Sequence, residues 1–553
     1  ISDTYPETGI QNKPSNLNGN YSELQRSTVL AQLNYEKLFL QKHGVKASIA
    51  YEERQVKSDN MWAQKEFAID VDQFFAGISA NAQVGSGNIY ENANQNVIGR
   101  LNYDYLTKYL FEIGFNYGGS SKFPKGERWG FFPFSSLGWR ISEEDFIKNN
   151  FSFITDLKLR GSWGQMGDDG ASSFQFLTGY NYPSSNYIFN NEVISGLGFR
   201  GMPNPNITWF TVTSKNIGVD LSLFQGLISL QFDLFQRNRS GLLATRALSI
   251  PASVGANLPQ ENLNKDVRRG LELMIGHRKT LGELTYNISA NVAYARGQGT
   301  HVERATDGNS YLNWRNNTTN RWDNMRWGYS LLGQFQAVEE ILNSPIQDGQ
   351  GNRTLSPGDF KYKDVNHDGI LSDLDMTPIT RGRLSDINYG LNINLSWRKF
   401  DMNILFQGAA NYNFEYRGYS LIPNRWGRNS LTAFFDRWHH EDIFNTDSPW
   451  VPGLYPTTGA TVNVPSNTWP SVFWLPDASY LRLKNLEIGY TVKNSLLKKA
   501  NLQNMRIYFS GFNLYTWTKM RLLDPEQVPD LGWSGNNSYP ITRNLSIGLN
   551  ITF

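Results

Sequence analysis

Apolar and polar residues alternate with period two along much of the chain. Tyr109, Phe111, Ile113, Phe115 and Tyr117 stand against Lys108, Glu112, Gly114 and Asn116, with Leu110 the one intruder. Tyr389, Leu391, Ile393, Leu395 and Trp397 alternate likewise with Asn388, Gly390, Asn392, Asn394 and Ser396. Residues 217–223, 228–234 and 286–294 keep the rule. The chain closes on Leu545, Ile547, Leu549, Ile551 and Phe553, interleaved with Asn544, Ser546, Gly548, Asn550 and Thr552. Successive side chains of a strand point to opposite faces, so each segment predicts a strand with one apolar and one polar face. Counted this way, the chain holds roughly sixteen strands. In 479–492 the apolar phase slips from Leu481 and Leu483 to Leu486, Ile488 and Tyr490, which predicts a β-bulge near Lys484 and Asn485.

The connections carry as much information as the strands. Tight joins at 105–108, 224–227, 278–283 and 397–401 alternate with long excursions at about 167–205, 239–263, 299–382, 414–478 and 518–540. A barrel inserted from one side of a membrane has short turns at that side and long loops outside, whereas a sandwich has no reason to sort its loops by end. The polar faces carry Asn, Ser, Gly and isolated charges, which a dry core could not satisfy, so they line water or meet another polar body. The apolar faces are nearly free of charge and place Tyr, Trp and Phe near strand ends, as an interfacial girdle requires. The expectation is an all-β fold, a transmembrane antiparallel β-barrel with Phe553 turned to lipid.

Composition narrows the alternatives. Among 553 residues there are 33 Phe, 27 Tyr, 16 Trp and 49 Gly, an alphabet of strands and turns. Charge is nearly balanced, 52 basic against 50 acidic, which provides no footprint for nucleic acid. Cysteine is absent, removing disulfides, thiolate metal sites and cysteine nucleophiles together. No apolar run reaches the ~18 residues of a spanning helix, so a membrane role requires a barrel.

The sharpest local motif is DVNHDGILSDLD, residues 364–375. Asp364, Asn366 and Asp368 stand at loop positions one, three and five, with Gly369 at six, the Ile370 carbonyl at seven, Ser372 at nine and Asp375 at twelve. This is the spacing of an EF-hand loop, suited to a hard cation such as Ca2+ or Mg2+. The competing reading is an Asx-rich turn that satisfies itself through backbone amides. His439, His440, Glu441 and Asp442 are adjacent and read as loop polarity, because neighbours on an extended chain point apart. Gly167, Asp168, Asp169 and Gly170 read as a turn. In the 414–478 excursion Tyr416, Tyr419, Trp426, Trp438, Trp450, Tyr455 and Trp469 either stack on sugars and peptide side chains, or pack the loop on itself or on a lid protein. No catalytic residue, organic cofactor or substrate-binding residue is assigned.

Several blocks in order resemble the SusC-like family of TonB-dependent outer-membrane transporters of Gram-negative bacteria. They are GRLNYDYLTKYLFEIGFNYGGSSKFPKGERWGFFPFSSLGWRISEEDFIK, ITDLKLRGSWGQMGDD, LNKDVRRGLELMIG, FKYKDVNHDGILSDLDMTPI, SYLRLKNLEIGYTV, YFSGFNLYTWTKMRLLDPE and YPITRNLSIGLNITF. The resemblance implies that residues 1–553 are the C-terminal part of a 22-stranded barrel with long extracellular loops, the plug domain and first strands lying outside this chain. It implies nutrient import of oligosaccharide or peptide captured with a SusD-like surface lipoprotein, a link to the TonB complex through the plug region, and a structural cation in the 364–375 loop. Two rivals stand beside it: an ungated outer-membrane porin or secretion barrel, and a secreted all-β carbohydrate-active enzyme.

Overall fold

The computed structural model describes residues 15–67, 73–76, 78–87, 89–246, 255–416, 430–457, 464–492, 502–527 and 541–553. Its contacts divide into two compact units, one of Ile1–Gly138, Ser162–Ser214 and Arg239–Lys265, the other of Trp139–Gly161, Lys215–Asn238 and Asp266–Phe553.

In the first unit, β1 (Ser15–Phe39) and β2 (His43–Phe67) pair antiparallel without a break from Ser15 opposite Phe67 to Phe39 opposite His43. β2 pairs in turn with β3 (Ile78–Ser86) at its far end and with β4 (Tyr90–Tyr105) along the rest. β4 then pairs with β5 (Tyr109–Ser120). Residues directly opposite share a face, so the register carries the expected alternation across strands. Leu33, Ile49, Gly99 and Phe115 form one row, and Tyr51, Val97 and Tyr117 the next away from the tight turns. Leu33, Ile49, Tyr51, Ile113 and Tyr117 are all exposed on this face. In water such a surface would be an aggregation liability; in a bilayer it is the lipid face.

Rings mark the edges of that face. His43, Tyr105 and Tyr109 gather at the tight-turn end, and Tyr117 stacks on Trp129 at 4.9 Å further along. Tyr109 and Tyr117 are about 27 Å apart along the strand, about 20 Å of height at the ~35–45° tilt of a barrel strand, which is most of the roughly 25 Å of an apolar band. The strands continue past it: β1 and β2 have 25 residues each, where ~9–11 suffice to span. Their tight turn places Leu40 and Gln41 at φ 49° and 56°, and that between β4 and β5 places Leu106 and Thr107 at 54° and 56°. Both residues of each pair sit in the left-handed region, as the centre of a type I′ turn demands, although neither pair contains glycine; each turn is closed by the amide of the third loop residue, Lys42 to the Phe39 carbonyl and Lys108 to the Tyr105 carbonyl, both at 3.0 Å.

In the second unit Leu284–His301, Ile387–Trp397, Phe400–Ala410, Tyr480–Thr491, Asn504–Thr518 and Asn544–Thr552 pair successively as an antiparallel meander. The expected bulge is present: Leu405 faces Asn485 and Phe406 faces Leu483, leaving Lys484 as the extra residue. Trp397, Phe400 and Tyr490 cluster at the tight-turn end, as do Phe153 and Phe224. On the last strand Leu545, Ile547, Leu549 and Ile551 are exposed, and Phe553 is 80 % exposed beside them.

The excursions are less loop-like than the pattern suggests. Strand enters 239–263 from both sides, as Ile228–Thr245 continues to Thr245 and Gln260–Leu281 begins at Gln260. Beyond the bilayer, pairing needs no apolar face, so alternation ceases to report it. The 167–205 excursion carries a hairpin of Tyr180–Phe189 and Glu192–Phe199. Within 299–382, Met325–Gly328 pairs with Thr377–Arg381 and Leu331–Gln334 with Phe360–Tyr362.

Replacing lipid-facing Ile113 by Arg is expected to cost the folded barrel about 2–4 kcal/mol, against under about 1 kcal/mol for Asn34→Arg on the polar face of β1. Denaturant unfolding in lipid vesicles measures both. Equal losses would contradict the assignment of faces.

Candidate functional site

The polar face of the second unit is built from amides and small ionic clusters. Asn403 Nδ2 donates to Asn394 Oδ1 at 2.6 Å and Asn392 Oδ1 at 3.2 Å, and Asn485 Nδ2 donates to Asn403 Oδ1 at 3.2 Å. Near the tight turns Arg506 is held between Asp401, at 3.0 Å from Nε, and Glu487, at 2.7 Å. Arg160 is gripped in two-pronged fashion by Asp233, both contacts at 2.6 Å, while its Nε reaches Asp220 at 3.2 Å. Each cluster sets one guanidinium against two carboxylates, so each keeps a net negative charge. Such a wall suits water or a polar body, and no apolar occupant would satisfy it.

At the other end of the same face lies a neutral ionic knot. Arg482 is 1 % exposed, and its Nη2 donates to both carboxylate oxygens of Asp524 at 2.6 and 2.5 Å. Nη1 reaches Glu526 at 2.5 Å and Nε reaches Thr516 Oγ1 at 2.8 Å. Lys484, the bulge residue, closes the charge balance at 2.9 Å from both Glu526 oxygens. The Tyr412 hydroxyl donates to the Pro525 carbonyl at 2.9 Å, so segment 524–526 is pinned both by the strand that carries Arg482 and Lys484 and by the residue two past the end of Phe400–Ala410. Removing one partner of so buried a pair typically costs about 3–5 kcal/mol, because the other charge is left without compensation. Sequence reasoning missed this knot; its one signal was a run of charges at polar-face positions of a strand.

The excursions condense around aromatic rings next to the knot. Tyr329, Phe360, Tyr362, Phe434, Tyr455, Trp474 and Met520 belong to one buried cluster. Trp469 stacks on Tyr329 at 4.3 Å, and Trp474 meets Phe473 edge-on at 4.7 Å. Polar atoms inside find partners: Trp474 Nε1 donates to the Asn467 carbonyl at 2.7 Å, and the Tyr362 hydroxyl to the Ser466 carbonyl at 2.8 Å. Tyr416, Trp438 and Tyr455 are buried, Trp469 is packed on Tyr329, and Trp450 lies 3.8 Å from the His440 ring. These five rings follow the packing alternative. Tyr419 and Trp426 lie outside the described residues.

Asp359 is a buried carboxylate in this assembly. Oδ1 accepts from Asn467 at 2.7 Å and Thr457 at 2.8 Å, and Oδ2 accepts from the Ser356 amide at 2.8 Å. Burial pushes its carboxyl above the ordinary 3.8, and these three donors offset only part of the rise.

The 364–375 loop folds as a compact turn. Asp364 accepts from the amides of His367 at 2.7 Å and Gly369 at 2.9 Å. Asn366 accepts from the Asp368 amide at 3.0 Å and donates to Asp368 at 2.9 Å; Asp368 in turn accepts from the Ile370 amide at 2.9 Å. Asp375 is fully buried, accepting from the amides of Val365 and Ser372, both at 2.8 Å, while Ser372 Oγ accepts from the Leu374 amide. Partial desolvation raises the Asp364 carboxyl, but the amides of Gly369 and His367 outweigh it and leave its pKa below the ordinary value. Asp364, Asn366 and Asp368 therefore sit together with one carboxylate firmly ionised, while the twelfth-position carboxylate serves the backbone. Among the described residues no group of three or more His, Cys, Asp or Glu side chains gathers as a metal cluster. His439 and His440 turn their Nδ1 atoms to the carbonyls of Arg437 and Ser448. Asp168 closes its turn by accepting from the Gly170 amide, and Asp169 accepts from Ser120 and Asn94.

Residues 3–514 match the family described as TonB dependent receptor-like, beta-barrel. The chain belongs to that family. TonB-dependent receptor P3 of Formosa agariphila is 28 % identical over 94 % of this chain and 52 % of its own length. TonB-dependent receptor SusC of Bacteroides thetaiotaomicron is 27 % identical over 82 % of the chain and 43 % of its own. The chain thus spans about half the length of the curated relatives it matches. The fold is that of the RagAB peptide importer in its open-open state, with TM-score 0.74 at 18 % identity over 97 % of this chain and 56 % of that one. Barrels of TonB-dependent receptors reside in the outer membrane of Gram-negative bacteria, which places this chain there. The family comprises transporters and receptors and is not an enzyme family, so the carbohydrate-active enzyme is set aside.

Because the folded pKa of Asp359 is raised, its contribution to loop stability is complete below 3.8 and is lost as pH rises through the folded value. Hydrogen-exchange protection of residues 335–360, corrected for intrinsic rates, is expected to fall across that window. Asp359→Asn should flatten the dependence; an unchanged slope in the variant would refute the assignment.

Proposed function

We propose that this chain is the barrel part of a SusC-type importer, which moves oligosaccharide or peptide captured with a SusD-like surface lipoprotein and is driven by the TonB complex through a plug region. The likeness to SusC over 472 residues is the observation that carries this reading. The amide-rich wall and its net-negative clusters support it, since they offer a polar surface for a plug and for hydrophilic cargo. The aromatic loop cluster supports it too, since it holds the excursions in one arrangement against which a capturing partner could close. On this reading the long loops meet ligand and lid, and the alternate apolar rows meet lipid.

The test is uptake in the native host. Deleting the gene should abolish growth on one class of oligosaccharide or peptide, and TonB depletion should abolish uptake of the same cargo. Cargo entry that persists without TonB would favour the ungated porin.

A divalent cation in the 364–375 loop belongs to the same proposal. Asp364, Asn366, Asp368 and the Ile370 carbonyl would bind it, with Ser372 and Asp375 holding the loop end in shape; the ion would neutralise the turn's carboxylates. Millimolar Ca2+ is expected to slow proteolysis of this excursion several-fold, and Asp364→Ala should remove the effect. Equal cleavage rates with Ca2+ and with chelator would eliminate the ion.

A further inference from the structure

The described rings of the 414–478 excursion are packed, but a tryptophan of the 299–382 excursion is held rigidly and left open. Trp314 is 54 % exposed. It stands on the short helix Ser310–Asn316, whose Tyr311 and Leu312 amides donate to the Asn309 side chain at 2.7 and 3.3 Å. Trp327 meets its indole at 87° with ring centres 5.2 Å apart, and Tyr311 meets it at 5.5 Å. The Arg321 guanidinium lies over both indoles, 5.1 Å from the centre of Trp314 and 5.2 Å from that of Trp327. The same guanidinium donates to the carbonyls of Arg315 at 2.6 Å and Trp314 at 2.7 Å, so it clamps the end of the helix as well as the ring. Arg315 donates to the Asp373 carbonyl at 2.6 Å and the Tyr311 hydroxyl to the Met376 carbonyl. Met376 packs against the buried aromatic cluster, so the helix is tied to the most rigid part of the excursions.

With Arg321 over one side, that exposure leaves the other side of the indole to water. An open ring forgoes the stabilisation that burial would bring, and a ligand stacking on it recovers that term without having to order the side chain first. The groups beside the ring are neutral. Ser310 and Asn317 lie four residues before and three after Trp314, positions that share its side of a helix, and both are exposed. Asn317 is oriented by accepting from the Thr319 amide at 2.9 Å, which leaves its NH2 group to donate outward. The Ser310 hydroxyl and the Trp314 indole N–H have no partner among the described residues. Arg315 and Arg321 are already engaged by carbonyls, Asp373 and the indoles, so the rim selects neither an anion nor a cation. A pyranose ring matches this arrangement, since its C–H face packs on an aromatic ring while its edge hydroxyls give and take hydrogen bonds.

We propose that Trp314 is a stacking platform for a neutral sugar ring, which narrows the cargo to an oligosaccharide. The assignment rests on the importer reading and goes one step beyond it.

The full-length transporter, purified in detergent without the lipoprotein so that only its own sites are read, is screened on an array of neutral and charged glycans. Affinity for the best-bound neutral oligosaccharide is then measured by titration calorimetry. Trp314→Ala is expected to weaken binding about tenfold and Trp314→Tyr, which keeps a stacking ring, to restore most of it. Heat-modifiable electrophoretic mobility shows that each barrel is folded. Binding unchanged by Trp314→Ala, equal loss in the Ala and Tyr variants, or no neutral glycan bound by the folded barrel overturns the proposal. TonB-dependent uptake of a peptide alongside any of those results leaves the importer reading standing. Cargo entry without TonB removes that reading alone, because sugar binding is measured on the purified protein.

Discussion

Hydrocarbon offers a peptide group nothing to bond with, so every amide and carbonyl crossing it must find a partner in a neighbouring strand. The long uninterrupted ladders follow from that constraint. β1 and β2 pair through twenty-five successive positions, and the terminal meander pairs strand to strand with register shifts only around Lys484, which is the extra residue against Phe400–Ala410 and faces the two residues Asn513 and Leu514 on its other side. Once the backbone is committed to strands, side chains have only two directions available. The outward direction then belongs to Ile113, Leu33 and Ile547, and the inward one to Asn394, Asn403 and Arg506.

A wall of this kind cannot supply a dry core between its strands, so the largest apolar cluster forms elsewhere. It collects in the excursions, where Phe360, Tyr362 and Trp474 leave water altogether. Each buried ring contributes on the order of 1.5–3 kcal/mol, enough to offset the ordering of long connections whose closure entropy grows only slowly with length. The join between wall and cluster is ionic. Arg482 belongs to a strand yet is as deeply buried as any ring, and two carboxylates of the following excursion compensate it. The knot therefore fixes where the excursion starts without placing a net charge beneath the rings.

Strands, their faces and the bulge were legible because period two is local: Tyr109 to Tyr117 announces itself within nine residues. What could not be read was any pairing that depends on distant chain. Gln347 meets Ser466, and Arg482 meets Asp524, through contacts that no window on the sequence contains. The continuation of Ile228–Thr245 into an apparent loop was hidden for a different reason: the run Gly241, Leu242, Leu243 and Ala244 does not alternate, and Leu243 packs on the buried cluster of Phe123, Ala171 and Ile207 from distant parts of the chain. In 364–375 both readings of the motif draw on the same residues. Spacing alone could not tell that Asp375 would be buried on the amides of Val365 and Ser372 while Asp364, Asn366 and Asp368 stay at the surface of the turn.

One rule, applied at different heights, also divides labour along a single strand. On β2 the outward positions run Val45, Ala47, Ile49 and Tyr51, then Glu53, Gln55 and Lys57. Tyr51 marks the change: its hydroxyl donates to Glu53 at 2.8 Å, and Gln55 and Gln95 donate to the same carboxylate. Below that ring the outer face needs only to be apolar, so side-chain identity is loosely constrained. Above it the same face meets a hydrated layer, and the hydrogen-bonding side chains of Glu53, Gln55 and Lys57 replace the apolar row. Because the backbone ladder does not change across the boundary, the strand holds those groups as rigidly as it holds the lipid-facing rows. Extending a spanning strand beyond the bilayer thus yields, without any new fold, a stiff polar platform set at headgroup height.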